Sequence, residues 1–195
     1  MKILSFLLIF IYSNTIYCEE PVIEQFAEEI RHFTVKNTEE CKILKIEHDL
    51  DENGTTDILL SSYCGFNQTE YWGKLGGPWN LYLKVEGRFI KYPSLYFTPF
   101  AVGFNGVKKE GEFVLTKYSR ISAIEGSVST LRITSSSIEV LDGKHYGGEN
   151  PEENLRYENI GENFKNTHRP LVTYCVLSDI AKNTCSWEEG GFESQ

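Results

Sequence analysis

The chain has 195 residues, with 28 acidic and 19 basic side chains and a formal net charge of −9 at pH 7. This acidic balance opposes nucleic-acid binding, because phosphate recognition needs a basic face. The length favours a single domain with one hydrophobic core. Beyond the N-terminal segment, no apolar stretch approaches the ~20 residues that a membrane-spanning helix needs.

The N-terminal segment, residues 1–18, has the pattern of a secretory signal peptide. Lys2 gives a short positive region, and the apolar run that follows it is too short to span a bilayer. Cleavage after Cys18 would leave a mature domain of residues 19–195. A lipoprotein is the alternative, in which Cys18 is lipidated and retained, although Tyr17 stands where a lipobox has a small residue. We therefore expect a secreted or periplasmic protein, with no membrane contact unless Cys18 is lipidated.

The first predicted element of the mature chain is an amphipathic helix, Pro21 to Phe33. Proline is tolerated in the first turn, where its missing N–H has no intrahelical acceptor. Apolar residues recur on one face at helical spacing, at Val22, Ile23, Phe26, Ile30 and Phe33. This stripe predicts that the helix packs against the rest of the domain.

Between the first two predicted strands lies the sequence D-L-D-E-N-G-T-T-D, from Asp49 to Asp57. Ca²⁺ takes six to eight oxygens at about 2.3–2.6 Å, and one loop can supply them from alternate positions. Gly54, the sixth residue, can adopt the positive φ that the chain reversal needs. The spacing predicts a calcium site whose ligands are Asp49, Asp51, Asn53, Thr55 (through its carbonyl) and Asp57.

This loop resembles an EF-hand calcium loop over about nine to twelve residues, but Leu60 stands where an EF-hand has a bidentate glutamate. The flanking segments are rich in β-branched and aliphatic residues, so we expect a strand-loop-strand hairpin. The loop therefore resembles the Asp-rich calcium loops of FG-GAP and VCBS-type repeats more than a paired EF-hand. The chain has one copy, whereas those families repeat the loop, so the resemblance implies the ion and not their propeller architecture. A polar hairpin turn is the alternative, since Asn-Gly is itself a turn signal.

The segment that follows the second strand mixes large aromatic residues with glycines. Aromatic rings stack on sugars, so Tyr71, Trp72 and Trp79 are candidate ligand contacts of a glycan- or protein-binding module. The alternative is that the two tryptophans fill the core, since aromatic side chains bury large areas. Exposed rings on one face would favour the binding module, and buried rings would exclude it.

The rest of the chain alternates short β-rich runs with turn residues. Predicted turns at Glu86-Gly87, Asn105-Gly106 and Asp142-Gly143 indicate antiparallel pairing. The predicted strands are Ile43–His48, Ile58–Tyr63, Asn80–Val85, Arg88–Tyr92, Tyr96–Val102, Glu112–Tyr118, Val128–Ile133, Ser137–Leu141 and Leu171–Leu177. The fold class is therefore α+β with β dominating, as an antiparallel meander sheet or small sandwich with one N-terminal helix. We expect a polar surface excursion at residues 145–169, with a short helix near residues 152–156, and a mobile tail after Trp187.

Four cysteines remain if Cys18 leaves with the signal peptide. An even number in an oxidising compartment favours two disulfides. Three pairings are possible, and we favour the two local ones, Cys41 with Cys64 and Cys175 with Cys185. A zinc site is the rival, but the cysteines are scattered and form no C-x-x-C motif.

Catalytic motifs for a nucleophile, a zinc protease, a P-loop or a dinucleotide are not found in the sequence. We assign no catalytic residues, because His48, His145 and His168 have no neighbour at a spacing that implies a triad. An enzyme would need a cleft in which His145 or His168 meets a carboxylate. The function expected from the sequence is therefore calcium binding by a secreted or periplasmic protein, with the ion in a structural role.

Overall fold

Strands make up most of the fold. The structure is a computed structural model and describes residues 21–33, 41–64, 77–105, 111–120, 126–146 and 167–189. The predicted signal peptide, Tyr71, Trp72 and the helix expected near residues 152–156 lie outside these ranges. The elements are α1 (Pro21–Phe33), β1 (Lys42–His48), β2 (Asp57–Tyr63), β3 (Gly77–Val85), β4 (Arg88–Phe97), a 3₁₀ turn (Pro99–Ala101), β5 (Val102–Asn105), β6 (Glu112–Arg120), β7 (Gly126–Thr134), β8 (Ile138–Tyr146), β9 (Val172–Val176), α2 (Leu177–Ala181) and β10 (Glu188–Glu189).

These strands form two antiparallel sheets. The larger has the order β10-β9-β1-β2-β3-β4, and the smaller has the order β5-β6-β7-β8. The prediction of a β-dominated α+β fold is confirmed. Within the described ranges, no helix is long and apolar enough to cross a membrane.

The predicted N-terminal helix is confirmed at the same bounds, and it covers one face of the larger sheet. Ile23 and Phe26 of α1 are buried against Ile43 of β1 and Ile58 of β2. The short helix α2, which was not predicted, packs into the same hydrophobic cluster through Leu177. The helices therefore form one outer layer.

The opposite face of the larger sheet packs against the smaller sheet. Successive side chains of a strand point to opposite faces, so Leu44 and Leu59 point away from the helices and meet Phe104 and Phe113 of the smaller sheet in one buried cluster. The fold thus has three layers, in the order helices, larger sheet and smaller sheet. The main core lies between the two sheets.

The predicted strand Tyr96–Val102 is wrong, because the chain changes sheets within it. β4 ends at Phe97 in the larger sheet, a 3₁₀ turn follows, and β5 begins at Val102 in the smaller sheet. Pro99 has no N–H and a fixed φ, so it cannot continue a strand ladder. The break lets one chain segment contribute to both sheets.

Two further predicted boundaries are also corrected. The turn expected at Asp142-Gly143 lies inside β8, where the register against β7 shifts between Thr130 and Leu131. Gly143 lacks the positive φ that a type I′ turn requires. The tail expected to be mobile begins with β10, whose Glu188 pairs with Tyr174 of β9.

Both local disulfides are present. Cys41 and Cys64 join the residue before β1 to the residue after β2, and Cys175 and Cys185 join β9 to the segment after α2. The predicted pairings are therefore confirmed, and the zinc alternative for these cysteines is excluded. Disulfides of this kind are typical of extracellular or periplasmic proteins.

Candidate metal centre

The Asp-rich segment is the loop of the β1–β2 hairpin. The last pair of the ladder joins His48 to Asp57, so the intervening residues form the connection. Glu52 and Gly54 adopt φ values of 53° and 85°, which fold the chain back on itself. The flanks are strands, as predicted. Leu60 is buried in β2 on the helix-facing side of the sheet and cannot act as the twelfth-position ligand of an EF-hand.

Three of the five predicted ligands come together. Asp49, Asp51 and Asp57 each offer a carboxylate oxygen within 4.8 Å of the others. Oxygens that share one Ca²⁺ at about 2.4 Å can lie no more than about 5 Å apart. The spacing of the three carboxylates therefore suits a single metal ion.

Asp57 ties the loop to the adjacent strand. Its Oδ2 accepts a hydrogen bond from the backbone N–H of Leu50 at 2.8 Å, and its Oδ1 accepts one from the N–H of Lys84 in β3, also at 2.8 Å. Burial raises the pKa of Asp57 to about 6, and the neighbouring carboxylates of Asp51 and Asp49 add to the rise, while the two backbone hydrogen bonds oppose it. Burial thus favours the protonated form of this carboxyl group in the metal-free protein.

Asp51 connects the loop to the smaller sheet. It is fully buried, and its Oδ2 accepts a 2.6 Å hydrogen bond from the N–H of Gly111, immediately before β6. Gly111 has a φ of 75°, a conformation that favours glycine. Sequence reasoning missed this partner, because the two residues are far apart in the chain and no local pattern relates them.

Asp49 is half-buried and organises the tip of the loop. Its two carboxylate oxygens accept hydrogen bonds from the N–H groups of Asn53 at 3.0 Å and Gly54 at 2.9 Å. Carboxylate oxygens that accept nearby backbone N–H groups favour such turns. Each oxygen retains a second lone pair that a cation could use.

The other two predicted ligands, Asn53 and Thr55, make hydrogen bonds of their own. The side-chain amide nitrogen of Asn53 donates to Asp51 at 3.1 Å and to the Lys84 carbonyl at 3.2 Å, while its Oδ1 accepts the N–H of Thr55 at 2.7 Å. Asn53 therefore turns its donor, and not its oxygen, toward the carboxylates. The Thr55 hydroxyl donates to the Lys84 carbonyl at 3.2 Å, which ties the loop tip to β3.

The cluster concentrates negative charge in a poorly solvated place. Asp51 and Asp57 have no exposed surface. In the described part of the chain, no ion pair joins any of the three carboxylates to a basic side chain. Backbone N–H groups are thus the main compensation for these buried acids among the described residues.

Two of the histidines considered in the sequence lie beside the loop. The ring of His48 stacks on Phe104, with ring centroids 5.3 Å apart. The ring centroid of His168 lies 6.1 Å from that of His48. His168 is held by two backbone hydrogen bonds with Phe104, at 3.0 and 3.1 Å. Burial lowers the pKa of His48, and the nearby His168 lowers it further, while Asp49 opposes the shift. His145 is exposed on β8, apart from this group.

Trp79 is a core residue and not a ligand contact. It is fully buried, stacks on Phe97 with centroids 5.2 Å apart, and donates from Nε1 to the Phe97 carbonyl at 3.2 Å. The interpretation of Trp79 as a core residue is confirmed, and its assignment as a candidate ligand contact is wrong. The glycan-binding alternative loses one of its three rings, and the other two lie outside the described residues.

The fold and the site together define a β-dominated α+β protein, stapled by two disulfides, with a buried aspartate cluster that could hold a metal ion. No protein-family model, curated protein or solved structure matches the chain.

Proposed function

We propose that this is a secreted or periplasmic protein whose β1–β2 loop binds one Ca²⁺, and that the ion stabilises the fold. One observation carries the proposal: Asp49, Asp51 and Asp57 converge within 4.8 Å at the spacing that one cation requires. Secretion is supported by the signal-like segment at residues 1–18 and by the two disulfides.

A bound ion would relieve the repulsion among the three carboxylates. Two carboxylates about 5 Å apart repel by roughly 3 kcal/mol at an effective dielectric constant near 20. Three such groups form three repelling pairs, and two of the groups are fully buried. A divalent cation attracts all three carboxylates, and this attraction outweighs their mutual repulsion. Without it, the cluster relies on backbone hydrogen bonds and, below about pH 6, on the protonation of Asp57.

The donor chemistry favours a hard cation. The cluster consists of carboxylates without cysteine or histidine ligands, which suits Ca²⁺ or Mg²⁺ better than Zn²⁺. Calcium is favoured over magnesium because it tolerates irregular coordination and accepts backbone carbonyls and water, whereas Mg²⁺ requires a near-ideal octahedron. Rotation of the Asn53 amide would present its Oδ1 to the ion, and the Thr55 carbonyl would complete the set predicted from the sequence.

A structural role follows from where the loop is attached. Asp57 binds β3 through Lys84, and Asp51 binds the start of β6 through Gly111. These contacts join the loop between β1 and β2 to β3 of the larger sheet and to the start of β6 in the smaller sheet. An ion at the cluster would therefore strengthen a junction between the two sheets.

The testing experiment is thermal unfolding of the disulfide-bonded protein in EDTA and in millimolar CaCl₂. At a calcium concentration ten times the Kd, linkage adds about 1.4 kcal/mol of stability, which raises Tm by about 3–6 °C for a domain of this size. Asp51→Asn should abolish the rise. The matched control is Glu52→Gln, which removes an exposed charge of the same loop and should keep the rise. Equal Tm values with and without calcium in the unsubstituted protein would refute the proposal.

A further inference from the structure

Among the described residues, strand β8 forms an exposed edge of the smaller sheet. Every side chain from Ser135 to His145 is exposed. Val140 and Ile138 lie opposite the buried Leu131 and Ile133, and hence on the core side, yet they remain 64% and 41% exposed. A long edge strand with exposed apolar side chains is a template for pairing with another strand.

The register against β7 shows which β8 side chains share a face. Arg132 of β7 is opposite Glu139, and Val128 is opposite Lys144. Residues four apart on one strand point to the same face, so Glu139 and Lys144 both lie on the outer face of the smaller sheet. They can do so, although five positions apart, because the register shift at Leu131 places one extra residue in β8.

The outward backbone groups follow from the same register. Thr134 donates to the Ser137 carbonyl at 3.0 Å, which makes these two residues a hydrogen-bonded pair of the hairpin. Hydrogen-bonded and non-bonded pairs alternate along an antiparallel ladder, so the backbone groups of Ile138 and Val140 point to the free edge. Beyond the extra residue, the Gly143 N–H donates to Asp142 Oδ1 at 2.9 Å. Gly143 therefore also belongs to the set that points outward.

We propose that β8 pairs with β8 of a second copy of this chain in an antiparallel, two-fold symmetric edge contact that places Val140 opposite Gly143 and Glu139 opposite Lys144. This register brings outward backbone groups to face outward backbone groups. The extra residue of β8 does not disturb this pairing, because the two-fold axis places the extra residues of the two strands at equivalent positions. The result is a continuous eight-stranded sheet across the dimer.

Charge complementarity selects this register and this occupant. Glu139 bonds to Arg132 of its own chain at 3.2 Å. In this register it also faces Lys144 of the other copy, so symmetry adds two opposite-charge pairs on one face. On the core side, the exposed Val140 of each copy lies beside Gly143 of the other, and Ile138 lies opposite His145. The overall charge of −9 opposes association, and an edge contact is small by the standards of stable dimers. A weak, concentration-dependent dimer is therefore expected.

The test is sedimentation of the full disulfide-bonded chain over a concentration series, without regard to calcium. Lys144→Glu replaces two attractive pairs by two repulsive ones and should weaken dimerisation about tenfold. Glu139→Lys also breaks the bond to Arg132 within each chain, so the charge exchange Glu139→Lys/Lys144→Glu is compared with Glu139→Lys alone and should dimerise more tightly than that variant. Lys182→Glu, an exposed substitution after α2 with the same change in net charge, is the control and should leave dimerisation nearly unchanged.

Three results would overturn the inference. The first is a protein that stays monomeric up to the highest concentration at which it is soluble. The second is equal weakening by Lys144→Glu and Lys182→Glu, which would assign the effect to net charge. The third is an exchange variant that dimerises no more tightly than Glu139→Lys, which lacks the same bond to Arg132.

Discussion

Asp57 shows at the scale of one residue how burial changes the chemistry of a carboxyl group. Its pKa rises to about 6 from 3.8, chiefly because burial disfavours the charged form. Between about pH 4 and pH 6, Asp57 is therefore protonated in the metal-free folded state and ionised in the unfolded chain. The stability contributed by this proton is full below pH 4 and is lost as the pH rises through 6.

As the pH rises from 4 to 7 in EDTA, we expect the titration of Asp57 to lower the free energy of unfolding by about 2–3 kcal/mol. Urea unfolding of the unsubstituted protein and of Asp57→Asn at several pH values measures the effect. The variant is expected to be less stable at low pH, since one of its two backbone donors loses an acceptor oxygen. Its free energy of unfolding should also lack the pH dependence that Asp57 contributes. Curves that run parallel for the two proteins would show that Asp57 does not titrate in this range.

Residue-scale inference from the sequence succeeded where the information was local. The spacing of Asp49, Asp51 and Asp57 in one loop led to the three carboxylates that converge. It did not give the orientation of the Asn53 amide, whose nitrogen donates to Asp51. The orientation of an amide depends on acceptors from elsewhere, here the Lys84 carbonyl of β3.

At the scale of elements, the β3–β4 hairpin is a case in which turn chemistry predicts structure. Glu86 and Gly87 have φ values of 49° and 75°, the conformation of a two-residue type I′ turn. The predicted turn is confirmed. Asp142-Gly143 carries a similar signal and yet lies within β8, since its pairing with β7 continues through both residues.

This contrast gives a matched pair of substitutions. Gly87→Ala should destabilise the protein by about 1 kcal/mol, because a side chain costs about that much at positive φ even though nothing lies within 4 Å of the added Cβ. Gly143→Ala should change stability by less than about 0.5 kcal/mol, since its φ is ordinary and the nearest atom is a Val140 methyl at 4.0 Å. Urea unfolding compares the two. A larger loss at Gly143 would contradict the conformational argument.

At the scale of the whole molecule, the disulfides hold the ends of the larger sheet. Cys41 and Cys64 close a loop around the β1–β2 hairpin, with a sequence separation of 23 residues. Removing the bond by Cys41→Ala/Cys64→Ala should lower the free energy of unfolding by about 3 kcal/mol, mainly because the unfolded chain gains freedom. Cys175→Ala/Cys185→Ala opens a loop with a separation of 10 residues and should cost somewhat less.

Urea unfolding of both double variants measures these losses. The unsubstituted protein treated with a thiol reductant is the control, and it should lose at least as much stability as either variant. Midpoints equal to that of the untreated protein would show that the bonds do not contribute to stability.

The sequence by itself determined the helix Pro21–Phe33, the hairpin with its aspartate spacing, the β-dominated class and the choice of local disulfides. These features depend on periodicity, turn residues and short separations along the chain, which are local properties. Tertiary structure decided the division into two sheets, the break before Val102, the burial of Trp79 and the contact between Asp51 and Gly111. Each of these depends on which surfaces meet when distant segments exclude water, and the pattern of one segment does not contain the identity of its partner.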